Sequence, residues 1–213
     1  MADITQSLIK CRVLRNEILQ VLIKKEENNK KHVKIYSFLR EIVVLACNMP
    51  THSIFIKRGE IMDIRKVNIN DYKDVINLYK QLFDAEKVFD DNIVRTYKVD
   101  EKEEKRIKKR IKSRKEIFLI AEIDNKIVGL IDGYIIESIY YKEKISYLDH
   151  LCVDEKFRNN EIGSKLIERF SEISKKKGAS YIKLNAFEKN IPAVNLYNKH
   201  GFESYSIYYM KKI

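Results

Sequence analysis

The sequence has few residues that could form disulfides or a metal site, and it has no long apolar run. Its three cysteines, Cys11, Cys47 and Cys152, stand far apart without a CxxC pair, and its four histidines are equally scattered. This spacing predicts neither a disulfide framework nor a metal cofactor. No apolar stretch approaches the roughly 18 residues that span a bilayer. The first residues also lack the apolar core and cleavage site of a secretory signal. We therefore expect a soluble, cytoplasmic protein without membrane contact.

The basic charge is spread along the chain rather than concentrated. The formal net charge is +11, of which residues 1–61 carry +5 and residues 62–213 carry +6. The densest basic run, residues 98–115, also contains four acidic residues. This mixture is typical of a solvated helix face with i,i+4 ion pairs. The sequence therefore does not predict nucleic-acid binding, although the charge is compatible with attraction to an anionic nucleotide.

The first 61 residues are predicted to form a helical extension. Apolar residues recur at helical spacing over residues 4–27, and a second helix is predicted over residues 33–47. A polar run at residues 26–31 separates them, so we expect a helical hairpin too small to bury much core alone. Residues 57–62 can also be encoded by a purine-rich run before an ATG codon, as in a bacterial ribosome-binding site. Met62 is therefore an alternative native start.

Residues 62–213 have the pattern of a mixed α/β domain. The predicted order is a strand, two helices, three strands, a helix, a strand, a helix and one or two terminal strands. Strands are predicted at residues 63–67, 117–123, 127–138, 145–153, 181–187 and 202–210, and helices at residues 70–85, 162–177 and 192–199. A linker and a charged helix are predicted over residues 91–113. Asn70 is the predicted N-cap of the first helix. This order predicts a mixed sheet with helices packed on it.

The first informative segment, residues 151–166, is a strand that runs into a polar turn and then a helix. Backbone N–H groups in such a turn, with the positive end of the helix, form an anion site. Gly163 allows close approach of the backbone to a ligand, and the Arg158 guanidinium can pair with phosphate. An ordinary strand–turn–helix junction is the alternative interpretation.

The second informative segment, residues 185–202, is predicted to contain a short capped helix. Asn190 suits the N-cap, Pro192 the first turn and Gly201 the position after the C-cap. Small Ala193 would let another chain approach the helix, and Tyr197 shares its face. Core packing is the alternative interpretation for Tyr197.

Together, in this order and separation, the two segments resemble the GNAT superfamily of acyl-CoA N-acyltransferases. Residues 158–163 correspond to the family motif Gln/Arg-x-x-Gly-x-Gly/Ala, and residues 190–202 correspond to Asn-x-x-Ala-x-x-x-Tyr-x-x-x-Gly-Phe. The resemblance covers about residues 62–213 and implies a central, mostly antiparallel, twisted sheet flanked by helices. Glu161 stands where the family usually has its first glycine. We expect its amide to face the pyrophosphate and its carboxylate to point to solvent.

The resemblance implies an enzyme that moves an acetyl group from acetyl-CoA to an amine by direct attack in a ternary complex. Backbone N–H groups of the strand around Cys152 would polarise the thioester carbonyl. Tyr197 would protonate the departing thiolate, and Asn190 would contact the cofactor from the opposite wall. The implied cofactor-binding residues are Leu151, Cys152, Val153, Arg158, Asn159, Asn160, Glu161, Ile162, Gly163, Ser164, Asn190, Ala193 and Tyr197.

The general base is open between two neighbouring residues. Strand alternation predicts that Tyr147 and Asp149 share one face and that His150 lies on the other. Either Asp149 or His150 can take a proton, most simply through water, and a structural role is the alternative for each. We interpret Cys152 as a small buried hydrophobe rather than an acyl carrier.

The sequence predicts the chemical class of the acceptor rather than its identity. Residues 83–91, which connect the first two helices of the domain, contain four carboxylates and two phenylalanines. This composition favours a cationic small-molecule or peptide amine. Dimers are common in the family, so a homodimer is a further expectation. A non-catalytic acyl-CoA sensor that uses the N-terminal hairpin for partner contact is the main alternative, and a nucleic-acid-binding regulator ranks below it.

Overall fold

A computed structural model describes residues 52–57, 60–90, 92–93, 100–137, 139–211 and 213, with backbone only for residues 52–57, 60 and 61. The chain divides into two compact units, Met1–Pro50 and Thr51–Ile213. The predicted helical hairpin of residues 4–47 lies outside the described residues. The predicted boundary at Met62 and the alternative start there remain predictions.

A six-stranded sheet forms the centre of the second unit, and its spatial order follows the chain. The strands are β1 (His52–Lys57), β2 (Glu60–Lys66), β3 (Glu116–Ile123), β4 (Lys126–Ile136), β5 (Lys144–Val153) and β6 (Ala179–Lys183). All neighbours are antiparallel except β5 and β6, which are parallel. The mixed sheet is confirmed. No element was predicted for residues 52–57, which form β1.

Four helices flank this sheet, and they bury both of its faces. They are α1 (Tyr72–Glu86), α2 (Glu101–Lys112), α3 (Ile162–Lys176) and α4 (Ile191–Lys199). Helices α1 and α2 contribute to one apolar cluster, and α3 contributes to the other, against which Leu196 of α4 also packs. Strand β3 is therefore apolar on both sides, which explains its nearly continuous run of apolar residues. None of the described helices is both long and apolar enough to cross a bilayer.

Helix ends follow local hydrogen-bond chemistry. Asn190 caps α4, because its side chain accepts a hydrogen bond from the Ala193 amide, as predicted. The prediction that Asn70 caps the first helix is wrong. Asn68 instead caps a short 3-10 turn, Ile69–Asp71, that precedes α1. Helix α2 begins at Glu101, within the range predicted for a linker and a charged helix, because the Asp100 side chain accepts a hydrogen bond from the Glu103 amide.

The predicted terminal strand at residues 202–210 is not formed. These residues adopt no regular structure, and Tyr205, Ile207, Tyr208, Tyr209 and Met210 are all exposed. Their sequence has high strand propensity, but this propensity stabilises a strand only when its side chains pack against neighbouring strands. No such pairing involves these residues, so the pattern alone misassigned them.

Strand β5 diverges from β6 partway along its length. Pairing with β6 extends only from Lys144 to Tyr147. From Leu148 to Val153, that edge of β5 has no partner strand among the described residues, whereas the other edge still pairs with β4. Backbone groups at the diverging edge are therefore available to an extended ligand.

Candidate active site

The polar turn after β5 presents backbone amides at the N-terminal end of α3. Asn159 and Glu161 adopt left-handed conformations, with φ of 64° and 63°. The first helical hydrogen bond runs from the Lys165 amide to the Glu161 carbonyl, at 3.0 Å. The amides of residues 162–164 precede it and point out of the helix end. No acidic residue lies in the first turn of α3, so this end can hold an anion.

Glu161 occupies a conformation that favours glycine. A left-handed backbone costs a residue with a side chain about 1–2 kcal/mol. This strain gives a physical reason for the glycine that the family usually has at this position. The Glu161 residue is exposed, in agreement with the expectation that its side chain turns to solvent.

Gly163 lies where neighbouring side chains leave little room for a Cβ atom. A Cβ atom at this position would lie 3.2 Å from Leu196 Cδ2 and 3.8 Å from Val153 Cγ2. The glycine therefore lets the first turn of α3 lie close to α4. This packing role was missed, because nothing in the linear motif indicates which helix faces Gly163.

Arg158 and Asn160 stabilise the turn from its exposed side. The Arg158 Nε donates to the Val153 carbonyl at 3.2 Å, which fixes the side chain at the end of β5. The Asn160 amide donates to the Phe157 carbonyl at 3.3 Å. Arg158 thus lies beside the helix end, where a phosphate would meet both backbone amides and a guanidinium.

Tyr197 lies half-buried on α4, with its ring edge-on to Phe202 at 5.7 Å. Burial, and then the charge of Glu86, raise the pKa of Tyr197 to about 12. The phenol therefore stays protonated near neutral pH and can donate its proton to a developing anion. Core packing and a catalytic role are compatible for Tyr197, because its ring packs against Phe202 while the pKa of its hydroxyl responds to the charge of Glu86.

A β-bulge places His150 on a different face from the predicted one. Asp132 of β4 is paired with His150, but the next residue, Gly133, is paired with Leu148, so Asp149 is the extra residue. The bulge interrupts the alternation, and Asp149 and His150 then share the face covered by α1 and α2. A Cβ on Gly133 would lie 2.0 Å from the Tyr147 carbonyl oxygen, so this close approach requires glycine.

A buried polar network surrounds His150, with Asp132 at its centre. The Asp132 carboxylate is fully buried and accepts from the Tyr79 hydroxyl at 2.6 Å and from Arg110 Nη2 at 2.5 Å. His150 Nδ1 lies 3.2 Å from each of its oxygens. The sequence-based prediction missed Asp132, Tyr79 and Arg110. An aspartate inside the apolar run of β4 was the available signal.

The network shifts the pKa values of its two central groups in opposite directions. Burial alone would lower the pKa of His150, but the hydrogen bond and charge of Asp132, with the charge of Asp149, raise it overall. Burial would raise the pKa of Asp132, but His150, Arg110 and Tyr79 together lower it. The carboxylate is therefore ionised, and the imidazole is a stronger base than an isolated histidine.

Glu86, at the end of α1, connects the two sides of the site. Burial raises its pKa, while the charge of His150 opposes that effect. Its charge also raises the pKa values of Tyr197 and Cys152, so Glu86 is coupled electrostatically to residues of α4 and β5. Asp84 differs, because it is exposed and forms an ion pair with Lys87.

Cys152 is a poor candidate for a nucleophile. It is buried, and its Sγ donates to the Leu78 carbonyl at 3.2 Å. Burial raises the pKa of the thiol to about 12, so the reactive thiolate is disfavoured.

One group of side chains has the composition of a metal site. Ligand atoms of Asp132, Asp149 and His150 lie within 4.8 Å of one another. However, Arg110 Nη2 lies 2.5 Å from Asp132 Oδ1 and 3.3 Å from Asp149 Oδ2. The guanidinium therefore already supplies the cation among these carboxylates, and we assign no metal to them.

Comparison with known proteins gives consistent matches. An N-acetyltransferase of Methanocaldococcus jannaschii, itself described as uncharacterised, is 30% identical over 142 residues, which cover 66% of this chain and 60% of that relative. The BH1408 protein of Bacillus halodurans, as a tetramutant, has a similar structure with a TM-score of 0.64 and 21% identity, over 70% of this chain and 99% of that chain. The aminoglycoside N-acetyltransferase AAC(6')-Iy, solved in complex with CoA, has a TM-score of 0.57 and 19% identity, over 75% of this chain and all of that chain.

The Acetyltransferase (GNAT) family matches residues 74–202, which are more than half of the chain and include both motif segments. The matched range begins within α1 and ends after α4, so it contains the turn before α3, the bulge and the network around Asp132. The chain therefore belongs to the GNAT family of acetyltransferases.

Proposed function

We propose that this protein transfers an acetyl group from acetyl-CoA to a cationic amine by direct attack. The observation that carries the proposal is the His150–Asp132 pair on the unpartnered stretch of β5, with His150 Nδ1 3.2 Å from each carboxylate oxygen. The charge of Glu86 is also coupled to that of His150 and raises the pKa of Tyr197. A base and an acid on opposite sides of a reacting centre suit transfer from a thioester to an amine.

The residues after β5 fit the anionic part of acetyl-CoA. Outward-facing amides of residues 162–164, together with Arg158, suit a pyrophosphate. The unpartnered edge of β5, from Leu148 to Val153, suits the amide groups of the pantetheine arm. Asn190 and Ala193 are proposed to line the opposite wall, although the Asn190 side-chain oxygen already caps α4.

His150 is the better of the two candidate bases. Asp149 Oδ2 lies 3.3 Å from Arg110 Nη2, so its carboxylate is already engaged by a guanidinium. His150 has a raised pKa and faces the charge of Glu86. We propose that the imidazole accepts the proton of the attacking amine, while Tyr197 donates a proton to the departing thiolate.

The local charge favours a cationic acceptor. Asp149 is exposed and Glu86 is partly buried, and Arg110 is shared among Asp132, Glu116 and Asp149. The region thus has excess negative charge within a chain of net charge +11. One similar structure is that of an enzyme named for aminoglycosides, which are polycationic amines, and this likeness agrees with the proposal.

A thiol-release assay with acetyl-CoA tests the proposed function. The acceptor panel contains polyamines, aminoglycosides, basic peptides, and neutral and acidic amino acids. We expect turnover with a cationic member, and acetylation of its amine detected by mass spectrometry. CoA binding without turnover on any amine would support a sensor instead, and preference for an acidic acceptor such as glutamate would contradict the cationic class.

A further inference from the structure

We propose that Asp132 is the positioning residue for His150, holding the Nδ1–H toward its own carboxylate so that Nε2 is the basic nitrogen. The catalytic meaning of this inference rests on the proposed function. The tautomer of His150 can be measured whether or not the proposed function is correct. An ionised carboxylate only accepts hydrogen bonds. Since both Asp132 oxygens lie 3.2 Å from Nδ1, the contact requires a hydrogen on that nitrogen.

Two donors from different helices fix the Asp132 carboxylate. The Tyr79 hydroxyl of α1 donates to Oδ2 at 2.6 Å, and Arg110 Nη2 of α2 donates to Oδ1 at 2.5 Å. Because the carboxylate is fully buried, these donors replace the water that would otherwise solvate it. Each oxygen thus has one strong donor and also faces the imidazole.

The imidazole ring is held as well as hydrogen-bonded. Tyr79 and Phe83 lie edge-on to the His150 ring, with centroid distances of 5.2 and 5.8 Å. Aromatic contacts on α1 therefore limit reorientation of the ring. A base held in one tautomer and one orientation avoids the loss of turnover that occurs when the wrong nitrogen carries the proton.

Charged and titratable groups face His150 from four elements. They are Tyr79 and Glu86 on α1, Arg110 on α2, Asp132 on β4 and Asp149 on β5. To act as a base, His150 must first lose its own proton. Its raised pKa predicts that kcat/KM increases with pH through a value above the ordinary 6.5. Removal of the Asp132 charge should move this increase to lower pH.

The direct test is ¹⁵N NMR of the histidine side chains in the protein without substrates. The His150 signal is assigned by its loss in His150→Gln. We expect neutral His150 to carry its proton on Nδ1. In Asp132→Asn, an NH2 group replaces one carboxylate oxygen and can donate to Nδ1, so we expect the proton on Nε2. Neutral wild-type His150 with its proton on Nε2 would overturn the proposal, whether or not Asp132→Asn folds.

Kinetics provide the second test. In Asp132→Asn, we expect kcat to fall by about 10²-fold or more, the usual scale of general-base catalysis, and the pH limb to move down. Asp132→Asn/His150→Gln should be no slower than His150→Gln alone, because Asp132 acts through His150. The positioning role would be overturned if the two substitutions lowered kcat additively, or if the rise of kcat/KM with pH stayed at the same pH in Asp132→Asn. Tyr79→Phe, which keeps the carboxylate and the ring, should retain the wild-type tautomer.

The outcomes separate this proposal from the proposed function. If no amine is acetylated but the Nδ1–H tautomer is present and is lost in Asp132→Asn, the proposed function fails and the positioning holds. If an amine is acetylated but wild-type His150 carries its proton on Nε2, only the positioning fails.

Discussion

The two halves of the candidate site are built in different ways. The half proposed to hold the anionic part of acetyl-CoA is local, since it consists of one turn and the first residues of α3, and its groups are mostly backbone amides. The half around His150 is distributed, because Tyr79, Arg110, Asp132 and His150 come from α1, α2, β4 and β5. A local backbone site leaves a motif in the sequence, whereas a distributed network of side chains does not.

Tyr197→Phe should produce the largest loss of activity, and it tests whether a side chain outside both halves supplies the acid. Loss of the hydroxyl removes the proposed acid, so we expect kcat to fall by about 10²–10⁴-fold. Affinity for acetyl-CoA, measured by calorimetry, should hardly change because the ring remains. Tyr209→Phe is the matched control, since it removes a phenol hydroxyl from an exposed residue. Unchanged kcat in Tyr197→Phe would mean that the residue only packs.

Gly163→Val should weaken acetyl-CoA binding by at least about 100-fold, or ~2.7 kcal/mol. An added Cβ would also lie 3.2 Å from Leu196 Cδ2. The Gly163→Val variant alone therefore cannot separate a loss of helix packing from a loss of space for the ligand. Gly163→Val/Leu196→Ala separates the two effects, with Leu196→Ala alone as its control. We expect the double variant to regain thermal stability relative to Gly163→Val and still not bind. Recovery of binding would show that the glycine serves only helix packing.

Glu86→Gln should have a smaller effect, limited to the acceptor. Loss of the carboxylate removes a charged partner for a cationic amine, worth about 1.5–3 kcal/mol, so we expect kcat/KM for the best cationic acceptor to fall about tenfold or more. The value for a neutral amine should change less. Asp84→Asn is the matched control, because Asp84 is exposed and paired with Lys87. Equal effects of both variants would contradict a specific role for Glu86.

Glu161→Gly should have the smallest effect, and its sign is informative. Relief of the left-handed conformation at φ 63° should stabilise the fold by about 0.5–1 kcal/mol after the entropy cost of glycine. Glu155→Gly, at an exposed position outside that conformation, should instead destabilise the protein. Thermal denaturation measures both variants. Destabilisation by Glu161→Gly would mean that the Glu161 side chain contributes more than the strain costs.

Prediction from sequence succeeded where the determinants were local. The Asn190 cap and the position of Gly201 after the C-cap of α4 were correct, and Gly201 has a positive φ of 77°. The prediction failed where distant residues decide the structure. His150 changed face because of a bulge opposite Gly133, and residues 202–210 lack a partner strand. Asp132 was missed because its partners are far away in the sequence.

The most direct test of the account is the initial-velocity pattern with acetyl-CoA and the best amine as varied substrates. The account requires both halves of the site to be occupied together, so lines in the double-reciprocal plot should intersect. Mass spectrometry of the protein incubated with acetyl-CoA alone should show no acetyl adduct, because the Cys152 thiol is buried and its pKa is raised to about 12. Parallel lines together with an acetylated protein would contradict direct transfer.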